Sequence, residues 1–342
     1  MSDQLTNGKI RSLNCLADEG GRFRMLAIDQ RGALQSMLAK VLGRDAKSIG
    51  AEELTTTKQV ITRALAPFST AVLTDPVYGY PSSIRDIPGG VGLLLAHEQT
   101  GYEKSGPDGR ERRSCLLEEW SAERSRLAGA NAAKLLIYYN PDASDETLEH
   151  QQRLVRTLGE ECARLELAFL LEIVTYPIEE PSADTVQFAR RKPELVVRSA
   201  AEFSKPEYKV DVLKLEFPAD LKYAYECARG LFDRREREPA YDLKEVEDWC
   251  KRLDQACQVP WVILSAGVDI EEFLANVELA VKAGASGFLC GRAIWKGAVD
   301  LYPDTAAMES YLHTEGAYNF LRCNAAAACA LPWHQHRRFS AQ

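Results

Sequence analysis

Eight short apolar runs are spaced along the chain, and each carries or ends on a polar or charged residue. They are FRMLAID to Asp29, TAVLTD to Asp75, VGLLLAHE to His97 and Glu98, AAKLLIYY around Lys134, AFLLEI around Glu172, DVLKLE around Lys214, WVILS to Ser265, and GFLCGR to Arg292. Most are continuous rather than alternating, as in parallel strands covered on both faces. Between them lie stretches of helical spacing, such as LLEEWSAERSRLAG before the fourth run and IEEFLANVELAVKAGA before the eighth. Eight strands alternating with helices predict an α/β fold, a (β/α)8 TIM barrel. The strands fall within residues 23–292, and a helical segment is expected over 305–342. The 342 residues read as one domain, because such barrels reach this size once loop insertions are counted. The candidate insertions are the polar loop at 101–114, the charged connection at 179–209, and FDRREREPAYD at 232–242.

Two of the polar residues embedded in these runs are lysines. Taking an ammonium out of water is costly and favours the neutral amine. In AAKLLIYY, residues 134, 136 and 138 share a face; Glu172 shares one with Leu170 and Val174, and Lys214 shares one with Val212 and Glu216. Barrel enzymes carry their chemistry where strands meet the following loops. If Lys134 and Lys214 both face inward, each disfavours the other's proton, and one is expected to be a neutral amine at about pH 7. A structural ion pair with Glu172 or Glu216 explains a single such lysine equally well. Two lysines, Glu172 and Asp29 at the ends of separate strands favour catalysis over that reading. A neutral amine beside a carboxylate is the equipment for Schiff-base formation and proton transfer.

The last two runs add a second signal. SAGV at 265–268 and CGRA at 290–293 put small residues at the ends of the seventh and eighth strands, where barrels bind phosphate through backbone N–H groups. Arg292 adds a planar, permanently charged donor set.

Composition narrows the classes. With 46% hydrophobic and 27% charged residues the chain supports a large core, and no apolar stretch approaches the ~20 residues of a membrane span. The opening MSDQLTNGKI has no signal-peptide apolar region, so a cytoplasmic protein is expected. Nine cysteines without a C-x-x-C pair read as reduced thiols. A net charge of −8 disfavours nucleic acid as a partner but leaves small phosphorylated ligands open. The five histidines form no H-E-x-x-H motif, so a metal site is not expected.

These residues resemble those of a known family, the class I tagatose 1,6-bisphosphate aldolases. The matching stretches are MLAIDQRGAL at 25–34, LTDPVYGYP at 73–81, GLLLAHEQTGYE at 92–103, AAKLLIYYNPD at 132–142, FLLEIVTY at 169–176, VLKLEFP at 212–218, and ILSAGVDIEEF through LCGRAIWKGAV at 263–299. They run in family order across nearly the whole chain. The resemblance implies that Lys214 forms the Schiff base, Glu172 transfers the proton, Lys134 is a second active-site lysine, and Asp29 and Gln30 form the polar pair on the first strand. It implies further that Ser265, Gly267, Gly291 and Arg292 hold the phosphate on C1, and that neither metal nor organic cofactor is needed. The expected reaction is cleavage of D-tagatose 1,6-bisphosphate to dihydroxyacetone phosphate and glyceraldehyde 3-phosphate. The loop GRERRS at 109–114 and the tail ALPWHQHRRFSAQ do not match family members closely.

Within the same chemistry, 6-deoxy-6-sulfofructose 1-phosphate is the alternative substrate. Other readings are a metal-assisted barrel lyase or isomerase and a metabolite-sensing regulator that keeps the barrel. A homo-oligomer is compatible with the sequence.

Overall fold

The computed structural model describes residues 5–339. All eight runs form strands: β1 (Phe23–Ile28), β2 (Ala71–Thr74), β3 (Gly92–Ala96), β4 (Ala132–Tyr138), β5 (Ala168–Val174), β6 (Val212–Leu215), β7 (Trp261–Ile263) and β8 (Gly287–Cys290). They pair in parallel and the ladder closes on itself through β1 and β8. The continuous runs have the cause assigned to them. Leu26, Val72, Leu135, Leu171 and Leu213 pack outward beneath the helices, while Met25, Leu73, Leu94, Leu170 and Val262 fill the barrel interior.

The helix before β8 spans Ile270–Ala283, as its spacing predicts. Phe273, Val277, Ala280 and Val281 form its buried stripe and Gly284 ends it. The stretch before β4 departs from expectation, being helical only over Ala122–Leu127 behind the N-cap Ser121. Upstream of it Leu116 bridges Glu98 and a turn follows: Leu117 N–H donates to the His97 carbonyl, Gln99 N–H to that of Cys115, and Trp120 N–H to that of Leu117. The connection at 179–209, expected as an insertion, consists mostly of the helix Val186–Phe203. Its charged residues and Pro193 hid a stripe of buried Phe188, Leu195, Val196 and Phe203. The loop at 101–114 does hold an added element, a hairpin pairing Glu103–Ser105 with Glu111–Arg113.

The segment expected to be helical from 305 is continuously helical only as far as Ala326, with one further 3-10 turn at Trp333–Gln335. Beyond Ala326 the chain folds under the barrel, with Leu331 N–H donating to the Ala285 carbonyl and Trp333 N–H to that of Gly21. Residues 340–342 of that expectation lie outside the described part. Trp333 joins Leu13, Leu16, Phe23 and Met25 in one buried cluster that closes the N-terminal end of the barrel. The helix Asn7–Leu16 completes this floor, and a buried ion pair of 2.6 Å between Lys9 and Asp211 fastens it there. Among the described residues no helix is long and apolar enough to cross a membrane.

Asp75, one of the charged strand ends, has a structural role. It meets the fully buried Lys58 at 2.9 Å and accepts the backbone N–H groups of Val77, Tyr78 and Gly79. Lys58 also donates to the Ile28 carbonyl, so the pair ties β1 to β2 from outside the barrel. Removing one partner of a buried pair leaves an uncompensated charge. Lys58→Met is therefore expected to lower unfolding stability by about 3–5 kcal/mol in urea titration. A loss below about 1 kcal/mol would mean that the three N–H donors alone satisfy Asp75.

Candidate active site

Period-two alternation within the strands and parallel register between them bring the charged groups together. On β4, Ala132 faces the interior and so does Lys134 two residues on; Glu172 follows Leu170 inward on β5, and Lys214 follows Val212 on β6. The register sets Glu172 against Lys214 on one side and against Leu136 on the other. The Glu172 carboxylate oxygen Oε2 consequently lies 2.7 Å from Lys134 Nζ and 2.9 Å from Lys214 Nζ. Lys134 also donates to Asp29 at 2.8 Å and to Glu98 at 2.7 Å. Glu98 turns its other oxygen to the Leu136 N–H at 3.0 Å. All five side chains are at least nine-tenths buried.

The electrostatics follow from this crowding. Burial disfavours the Lys134 ammonium, but Asp29, Glu172 and Glu98 outweigh it and hold its proton far more firmly than on a free lysine. Lys134 is thus held charged. Burial likewise opposes the ionisation of Asp29 and Glu172, and the two lysines overcome it, keeping both carboxyls below their ordinary range.

Asp29, Gln30, Glu98, Tyr138, Glu172 and Arg292 line one cavity at the C-terminal mouth of the barrel. Arg292 opens the helix Arg292–Val299, whose N-cap is Gly291. Glycine is required there, because a Cβ would meet the Ala27 carbonyl oxygen at 2.4 Å and Gln30 Nε2 at 3.2 Å. The turn after β7 passes through left-handed conformations at Ala266 and Gly267, with φ of 47° and 83°. It brings Gly267 under the Arg292 guanidinium, where an added Cβ would stand 3.2 Å from Cζ. A helix start, an arginine and a glycine turn converge there as in an anion site. Ser265 is set apart from this group: it lines the adjoining cavity with Lys192, Glu216 and Lys222.

Glu98 was missed as a site residue, although the sequence carried its signal. The third run ends in two ionisable residues, and counting by twos from the inward Leu94 and Ala96 puts Glu98 inside and His97 outside. His97 does face outward, bonding Ser125 Oγ at 2.8 Å, and burial pushes it down to about 4. The chain's one H-x-H pair, His334 and His336, belongs to the tail beneath the barrel. Among the described residues no cluster of three or more His, Cys, Asp or Glu is placed to hold a metal ion.

The charge balance makes a pH prediction. In the native protein the depressed carboxyls stabilise the fold above about pH 4, and that stability is lost only as pH falls through their lowered folded-state values. In Lys134→Met the same burial acts on Asp29 and Glu172 with Lys214, and for Asp29 also Lys58, left to oppose it, raising their folded-state values above those of the unfolded chain. Stability of the variant then falls as pH rises through those values. Urea midpoints taken between about pH 5 and about pH 8 are expected to diverge, the variant losing most at the alkaline end. Parallel profiles for the two proteins would contradict this account.

Comparison with known proteins identifies the family of the chain. A family model described as DeoC/LacD family aldolase matches residues 23–297. Tagatose 1,6-diphosphate aldolase 2 of Enterococcus faecalis is 38% identical over 96% of this chain and 97% of its own length. The tagatose 1,6-diphosphate aldolase of Lactococcus lactis is 36% identical, covering 96% and 98%. Among solved structures, a fructose-bisphosphate aldolase from Plasmodium falciparum superposes with a TM-score of 0.63 at 15% identity, covering 92% of this chain and 94% of that one. An archaeal fructose 1,6-bisphosphate aldolase does so with 0.52 at 16%, covering 91% and 99%. At these identities the structural likeness is one of fold, whereas the sequence matches extend over nearly the full chain: it belongs to the DeoC/LacD family of aldolases.

Proposed function

We propose that the protein is a class I aldolase that cleaves a ketose 1,6-bisphosphate, D-tagatose 1,6-bisphosphate above others, through a Schiff base on Lys214. The observation that carries this reading is the position of Glu172 Oε2 between two lysines of unequal standing. Lys134 has three carboxylates and keeps its proton, while Lys214 has one and is the amine left to react. The names of the full-length relatives support the substrate.

In the proposed sequence Lys214 gives up a proton, with Glu172 at 2.9 Å as the nearest acceptor, and its nitrogen attacks the C2 ketone. Loss of water leaves an iminium that draws electrons from the C3–C4 bond. Glu172, directly or through water, takes the C4 hydroxyl proton as that bond breaks and glyceraldehyde 3-phosphate leaves. Protonation at C3 and hydrolysis of the iminium release dihydroxyacetone phosphate. Lys134 acts as a fixed positive charge beside the reacting hydroxyls, and Asp29 orients it. Arg292, with Gln30 and the backbone at Gly267 and Gly291, receives the C1 phosphate, with Ser265 at the margin of that site. The activity needs one barrel domain and no cofactor, and nine unpaired cysteines fit a cytosolic location.

Borohydride reduction in the presence of dihydroxyacetone phosphate, followed by peptide mass spectrometry, tests the assignment. Lys214→Ala is expected to abolish the adduct and lower turnover by several orders of magnitude. Glu172→Gln is expected to retain part of the adduct while losing about 10²–10⁴-fold in kcat. An adduct at Lys134 in the native protein would overturn the reading. The substrate is tested separately by kcat/KM for the C4 epimers tagatose and fructose 1,6-bisphosphate. These share the ketone and both anion anchors, so they are expected to differ by less than about a thousandfold. A larger gap would reveal a rigid reader of the C4 hydroxyl.

A further inference from the structure

We propose that Arg112, on the hairpin inserted after β3, receives the terminal oxyanion carried on C6 of the substrate; this rests on the aldolase reading above. Arg112 is half-buried, and its guanidinium carbon stands 4.5 Å from the ring centre of Tyr102, 4.9 Å from that of Tyr176 and 5.3 Å from that of Tyr138. The Tyr176 hydroxyl accepts the Arg112 backbone N–H at 3.2 Å, fixing the hairpin to the end of β5. Among the described residues no carboxylate or carbonyl pairs with the Arg112 guanidinium. Its neighbours on the hairpin do have partners: Arg113 meets Glu146 at 2.8 Å, and Arg110 donates to the Ile178 carbonyl at 3.0 Å. In a chain with eight more acidic than basic residues, an arginine gripped by three rings and left without an anion is unusual. Aromatic faces hold the guanidinium by its flat sides and leave the N–H donors at its edge free. The cage also fixes the side chain before a ligand arrives, which lowers the ordering cost of binding.

The place of Arg112 in the ring of strands fits the length of the substrate. Reading from β8 in the closed order, Arg292 follows β8, Lys214 lies on β6, Glu172 on β5, and Tyr138, against which Arg112 rests, ends β4 opposite β8. A ketose with its C1 phosphate at Arg292, C2 on Lys214 and its C4 hydroxyl at Glu172 runs in that same direction, so C6 arrives at the β4 rim. Tyr138 is four residues beyond Lys134 on the same inner face, about 13 Å up the strand. It therefore stands at the mouth rather than on the floor. The cleft beside the hairpin has a matching charge. Lys104, Arg110 and Arg112 line it with a single carboxylate, Glu180, which is itself paired with Arg191 at 3.1 Å.

The test compares two substrates on one folded protein, so that any loss of stability from emptying the cage cancels. For Arg112→Gln, kcat/KM with ketose 1,6-bisphosphate is expected to fall about 10- to 100-fold, the range of a charge-assisted hydrogen bond. With the same ketose 1-phosphate, which carries a hydroxyl at C6, it is expected to change less than about twofold. Arg112→Lys is expected to restore part of the loss, with the bisphosphate alone. An equal loss for both substrates, or none for either, overturns the assignment. Borohydride trapping of dihydroxyacetone phosphate, which has no C6 end, should be normal in Arg112→Gln. Absence of trapping in the native enzyme would instead overturn the aldolase reading itself. The ratio of kcat/KM for C6 phosphate over C6 sulfonate in the native enzyme tells which oxyanion the cage takes.

Discussion

The arrangement at the barrel mouth depends on one ammonium group shared by three carboxylates. Lys134 touches Asp29 after β1, Glu98 after β3 and Glu172 on β5, so a single nitrogen fixes three strand ends relative to β4. Neither side of this cluster is stable without the other: the lysine could not stay charged at that depth, and the three acids could not all ionise. The consequence for chemistry is that Glu172 is held by one lysine while it faces another. On the proposed mechanism its oxygen is positioned by a partner that does not change state, which leaves the contact with Lys214 to respond to the reaction. Preorganisation of this kind places charge before the transition state needs it.

Much of this was legible in the sequence because a barrel converts two periodicities into geometry. Counting by twos along a strand says what points inward, and counting strands says what stands beside what. That suffices to bring Lys134, Glu172 and Lys214 together and, applied to VGLLLAHE, would have added Glu98. The rest depends on contacts between segments distant in sequence. Nothing in GRERRS foretells that Arg112 meets tyrosines from two strand ends and its own loop. The tail is the same case: ALPWHQHRR lost its helix to backbone bonds with Gly21 and Ala285, partners about 310 and 46 residues away. The Val186–Phe203 helix was obscured because six charged residues and Pro193 interrupt its buried stripe, which only packing singles out.

Polar strand ends of two kinds also become distinguishable. Asp75 and Asp211 are engaged by structural partners, the first by Lys58 and three backbone N–H groups, the second by Lys9 and the Phe169 N–H. At the mouth the opposite holds, since Asp29 Oδ1 and Gln30 Oε1 are buried without a hydrogen-bond partner. A buried oxygen left unmatched costs free energy, and folds retain few of them. Here the two unmatched oxygens belong to residues that line the cavity.

The closed floor has a kinetic meaning. With Trp333, Leu13 and Leu16 packed across the N-terminal end, the barrel is a blind well, and everything enters and departs through one opening. On the proposed mechanism the half of the substrate lodged towards β4 is cut loose while the other half stays covalently attached deeper inside. The free fragment lies nearer the exit and leaves first; in the reverse direction the attached one must enter before its partner. The order of product release is then built into the shape of the vessel, without any moving gate to enforce it.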